Sequence, residues 1–69
     1  MTYRSQLTTS RYPSSGLVRR YMGSGGNVAL IFSGAWEVIT YANGERDYYL
    51  SDSAEAAVNY YAKQVMRVR

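Results

Sequence analysis

The stretch that decides the fold runs from Trp36 to Val68 and reads WEVITYANGERDYYLSDSAEAAVNYYAKQVMRV. At its centre stands Asn43-Gly44. Asn-Gly is the strongest short hairpin signal, because both central residues of a type I′ turn need positive φ. The flanking runs 35–41 and 46–50 then read as paired strands, and a two-residue loop sets their register. Tyr41 faces Arg46, Ile39 faces Tyr48 and Glu37 faces Leu50 on one side, while Thr40 meets Asp47 and Val38 meets Tyr49, with Trp36 next along, on the other. Both faces carry aromatic side chains. Beyond the second strand, Ser51-Asp52-Ser53 offers oxygen acceptors for the free amides of a helix start, and Asp52 with Glu55 has capping-box spacing. Ala54, Ala57, Val58, Tyr61, Val65 and Val68 recur at three- and four-residue steps, an apolar stripe with Tyr60 at its border. Lys63 and Arg67 lie towards the C-terminal end, where the helix dipole favours cations.

Working back from Trp36, residues 27–33 put Val28, Leu30 and Phe32 on one face and Ala29 and Ile31 on the other. A strand apolar on both sides belongs in the middle of a sheet. Ser33-Gly34 either turns the chain or bulges a longer strand. Gly23-Ser24-Gly25-Gly26 reads as a flexible hairpin loop after a further strand over 17–22. Residues 1–16 are rich in Ser, Thr, Arg and Tyr, have no sustained apolar period, and form an irregular arm. It reads as a frayed terminus, with packing on the sheet or on a partner as the alternative. Residues 17–69 are thus a single α+β domain, an antiparallel sheet of three to four strands with one C-terminal helix packed on one face. One helix can cover one face only, so the other is expected to meet the arm, pair with another subunit or serve as a binding surface.

A chain of 69 residues holds one small core. With no histidine and no cysteine it lacks the commonest general base, the thiol nucleophile and the usual zinc or iron ligands, so no catalytic, metal or cofactor site is expected. Eight tyrosines, one tryptophan and one phenylalanine supply the packing area that disulfides or a metal would otherwise replace, helped in one alternative by homodimerisation. No run of about 18 apolar residues and no signal-type series is present, so neither a membrane span nor a secretory leader is expected, and the cytoplasm is the expected location. The net charge of +3 is unevenly spread. Residues 1–36 carry Arg4, Arg11, Arg19 and Arg20 without an acid, residues 37–55 carry five acids against Arg46, and residues 56–69 carry Lys63, Arg67 and Arg69 without an acid. The two basic ends could meet phosphate or an acidic protein, or could be ordinary solubilising surface.

Three constellations bear on chemistry. Glu37 has apolar strand neighbours, as a catalytic acid can, but stands without partner groups and reads more simply as a solvent-face or sheet-edge residue. The glycine stretch is followed by a strand, whereas a phosphate loop leads into a helix. Arginine and tyrosine interleave at Tyr3-Arg4, Arg11-Tyr12 and Arg19-Arg20-Tyr21. Guanidinium groups neutralise phosphates and aromatic faces stack on bases, yet tyrosine and arginine are equally the currency of protein interfaces. Arg4, Arg11, Tyr12, Arg19, Arg20 and Tyr21 are therefore the expected partner contacts.

In size, in lacking catalytic residues, and in the order strand, Asn43-Gly44, strand ending at Leu50, Ser51-Asp52-Ser53 cap and helix with Tyr60-Tyr61, the chain resembles the small phage-encoded anti-CRISPR proteins built from a hairpin sheet and a helix. The resemblance covers about half the chain, is one of organisation, and carries over no functional residue. It implies action by occlusion of a protein or nucleoprotein complex in the host cytoplasm. The leading expectation is a non-enzymatic binding protein of that accessory-inhibitor type. The alternatives are a module for single-stranded RNA or DNA and a structural homodimer or assembly subunit.

Overall fold

A computed structural model describes residues 16–69. Strands β1 (Leu17–Gly23), β2 (Gly26–Phe32), β3 (Trp36–Ala42) and β4 (Glu45–Ser51) are followed by helix α1 (Ala54–Val68). The strands form one antiparallel sheet in the order β1-β2-β3-β4, the expected α+β arrangement in its four-stranded form. Asn43 and Gly44 have φ of 55° and 82°, as a type I′ turn demands, and the β3–β4 register is the one that turn sets: Tyr41 opposite Arg46, Ile39 opposite Tyr48, Val38 opposite Tyr49. β2 lies inside the sheet, as its two apolar faces require. Ser33-Gly34 belongs to the turn between β2 and β3, so the open choice there resolves to a turn. The register irregularity lies instead in β1, between Leu17 and Arg19, with Val18 as the extra residue.

Alternation assigns each side chain to a face. Towards α1 point Val28, Leu30, Val38, Thr40 and Ala42, which close on Ala57, Tyr61 and Val68 of the helix. Tyr21, Trp36, Tyr49, Tyr60 and Val65 pack around them. Each fully buried aliphatic side chain here stabilises the fold by roughly 1.5–3 kcal/mol relative to exposure. On the opposite face three cross-strand rows run Met22-Asn27-Tyr41-Arg46, Arg20-Ala29-Ile39-Tyr48 and Leu17-Ile31-Glu37-Leu50. Ala29, Ile31 and Ile39 form a second, smaller cluster there with Leu17.

The helix start differs from the expected cap. Ser53, with extended backbone, is the N-cap and its hydroxyl accepts from the Ala56 amide at 3.2 Å, while the Ser51 hydroxyl accepts from the Ser53 amide at 3.0 Å. Asp52 is exposed and one residue too early, so no Asp52–Glu55 box forms. The buried stripe also shifts. Ala57, Tyr61, Gln64 and Val68 are buried, whereas Ala54 and Val58 are exposed, because the helix meets the sheet along a line displaced from the most hydrophobic one.

The glycine stretch is a tight turn docked on the end of α1. The Gly25 amide donates to the Val68 carbonyl at 2.8 Å, and the Ser24 hydroxyl donates to the Arg69 carbonyl at 3.3 Å, so carbonyls left without intrahelical partners are satisfied from the sheet. A Cβ at Gly23 would stand 2.2 Å from the Val68 oxygen and one at Gly26 would stand 1.8 Å from the Tyr41 oxygen, so close backbone approach explains these glycines.

Two stability predictions follow from this packing. Gly26→Ala should destabilise by about 2 kcal/mol or more, since backbone must move to admit the methyl and φ is 149°. Thr40 is fully buried and its hydroxyl has no hydrogen-bond partner among the described residues. Thr40→Val should therefore raise stability by about 1 kcal/mol, read as a higher urea midpoint at unchanged slope.

Candidate functional site

The three expected contact residues that fall within the described part of the chain all lie on β1, an edge strand. Strand alternation divides them. Arg19 and Tyr21 pair with Leu30 and Val28 and face the helix side, while Arg20 pairs with Ala29 and faces the opposite side. Arg19 and Arg20 are exposed and Tyr21 is half-buried against the core. They do not form one patch. Arg4, Arg11 and Tyr12 lie outside the described residues.

What the fold builds around Arg19 is a groove. α1 starts just beyond the end of β4 and finishes against the β1–β2 turn, so it crosses the sheet diagonally. The corner at the start of β1 is left uncovered. There an open groove of about 610 Å³ is lined by Val18 and Arg19 of β1, Leu30 of β2, and Val58, Tyr61, Ala62, Val65 and Met66 of α1. Its rim is apolar and open to solvent: Val18 is 54% exposed, Val58 48% and Met66 65%. The irregularity in β1 brings Val18 to the same side as Arg19, which regular alternation would forbid. Burial raises the Tyr61 phenol above its ordinary pKa of 10.0, and the positive charge of Arg19 opposes that shift. Sequence reasoning named Arg19 but missed Val18, Val58 and Met66, because Val58 was taken into the core stripe and nothing in the spacing marks Val18 as the extra residue.

The groove lies where it does because the other flank of α1 is fastened. Tyr60 stacks on Tyr49 of β4, with ring centroids 4.0 Å apart and planes 8° from parallel. Its hydroxyl donates to the Asp47 carboxylate at 2.5 Å. This stack and hydrogen bond hold the helix towards β4 and away from β1. Donation to Asp47 is the main cause of a raised Tyr60 pKa, with burial second.

Other chemistries find less support in the geometry. Glu37 is half-buried on interior strand β3, between Ile31 and Leu50 on the face away from the helix, so of the two positions expected for it the sheet edge is excluded. Among the described residues no three His, Cys, Asp or Glu side chains cluster as metal ligands, and no helix is long and apolar enough to cross a membrane. Comparison with family models, curated proteins and solved structures finds no match to this chain.

The Tyr60 contact has a measurable pH signature. The folded state keeps the Tyr60 proton to higher pH than the unfolded chain, so this contribution is complete below pH 10 and fades as pH rises above it. Tyr60→Phe keeps the stack and removes the donor. It should cost about 1 kcal/mol at neutral pH and flatten the alkaline decline of the urea midpoint, with Tyr61 supplying the residual slope.

Proposed function

We propose that the chain is a non-enzymatic binding protein that docks a protein surface into the groove between β1 and α1, acting by occlusion in the manner that its resemblance to small phage anti-CRISPR proteins implies. The observation that carries this reading is the exposed apolar rim of Val18, Val58 and Met66 beside the Arg19 guanidinium. An apolar surface flanked by arginine fits a partner that offers an apolar ridge bordered by carboxylates, since buried apolar anchors supply affinity and the charge orients the encounter. The acid-free end of the helix, with Lys63, Arg67 and Arg69, adds to the same sign. A protein or nucleoprotein complex of the host is the partner class. A second reading, single-stranded RNA or DNA, is favoured by Tyr41 and Tyr48, about 40% exposed on the face opposite the helix with Arg20 and Arg46 in the same rows.

Capture from host lysate with the intact chain should retain a discrete protein after nuclease treatment, and Val58→Asp or Met66→Asp should weaken that capture by about tenfold or more while leaving the fold intact. Equal capture by both variants would remove the groove. Loss of the partner on nuclease treatment, with affinity falling steeply as salt rises, would favour the nucleic-acid reading.

A further inference from the structure

The flank of α1 that borders the groove carries charge at both ends as well as apolar surface between them. Glu55, Val58, Ala62, Met66 and Arg69 follow one another at three- and four-residue steps and are all exposed, so they form one stripe along the length of the helix. It is distinct from the buried stripe of Ala57, Tyr61, Gln64 and Val68. The Arg69 guanidinium is laid along it, since Nη1 donates to the Met66 sulfur at 3.0 Å. The sheet beneath has room for a second helix beside this flank. Four strands at about 4.8 Å each make a layer about 19 Å wide, a helix with its side chains is about 10 Å wide, and among the described elements α1 alone packs on this side.

We infer that the occupant of this corner is the α1 of a second copy of the chain, lying antiparallel beside the first about a two-fold axis at Ala62. The order of the stripe is its own complement. In an antiparallel pair centred on Ala62, Glu55 of each copy meets Arg69 of the other, Val58 meets Met66, and Ala62 meets itself on the axis. Ala62 presents only a methyl at the point of closest approach, which suits the separation of about 8–10 Å at which helix axes pack. Opposite charges then close the contact at both ends, and the N-terminal end of each helix dipole lies beside the C-terminal end of the other. A parallel pair would instead set Glu55 on Glu55 and Arg69 on Arg69, so charge selects the antiparallel order. This pairing rests on the reading of the groove as a docking surface and adds a regulation to it. Val58 and Met66 are covered in the dimer, and only the monomer offers them to a different protein.

Sedimentation velocity on the purified full chain, from about 1 µM to about 1 mM, should show a mass that rises with concentration towards that of a dimer. Glu55→Arg alone and Arg69→Glu alone each put like charges at both ends of the pair, and each should weaken association by about tenfold. An equimolar mixture of the two variants should recover it, because the mixed dimer regains an opposite-charge pair at each end. Both variants keep a net positive charge, so no general attraction explains the recovery. Unchanged far-UV circular dichroism of each variant checks that these exposed substitutions leave the fold in place. A chain that stays monomeric throughout would overturn the inference. So would a dimer that neither the charge variants nor Val58→Asp weakens, or a mixture no better associated than its components. The docking reading fails by a different result: it falls if Val58→Asp and Met66→Asp leave lysate capture unchanged, and it survives a monomeric chain whose capture those variants still weaken.

Discussion

The hydrogen bond from the Gly25 amide to the Val68 carbonyl ties the far end of α1 to the β1–β2 turn, and the lie of the helix over the sheet depends on it. At its other end the helix is held by chain connectivity, since only Asp52 and Ser53 separate β4 from its first residue. A rod fixed at opposite corners of a sheet must cross it diagonally. Two corners of the sheet then lie under the helix and two lie off the diagonal, and of the latter the one at the start of β1 opens as the groove. The glycines of the β1–β2 turn are the structural condition for this, because any side chain at Gly23 would meet the Val68 oxygen before the hydrogen bond could close.

From that diagonal the two sides of the molecule acquire different characters. On the helix side, the apolar side chains of Val18, Val58 and Met66 remain in solvent around Arg19. On the opposite side Ala29, Ile31 and Ile39 are buried without a helix, while Met22, Tyr41, Tyr48 and Leu50 around them are exposed. The tyrosines Tyr41 and Tyr48 fall on the helix-free side.

Much of the architecture was legible residue by residue. Asn43-Gly44 prescribes a turn whose backbone signs are almost unique, and the pairing of β3 with β4 follows from it without reference to any distant part of the chain. Val28 to Phe32, apolar on both faces, announces an interior strand for the same local reason. The site was legible only in part. Arg19 could be picked out by type, but its separation from Arg20 follows from strand alternation, and its grouping with Val18 follows from a one-residue irregularity that leaves no compositional trace. The cap was misassigned by one residue because Ser51, Asp52 and Ser53 all offer suitable oxygens, and only the angle at which β4 delivers the chain selects Ser53.

Local rules therefore determined the element order, the hairpin register, the interior position of β2 and the absence of histidine and cysteine chemistry, since each depends on backbone preferences or side-chain identity within a few residues. Tertiary structure alone decided which helix residues are buried, so that Gln64 enters the core and Val58 leaves it, and where an apolar groove opens. Those outcomes depend on the direction of one helix across one sheet. That direction is set by contacts between residues more than forty positions apart, Gly25 with Val68 and Ser24 with Arg69, which no local pattern encodes.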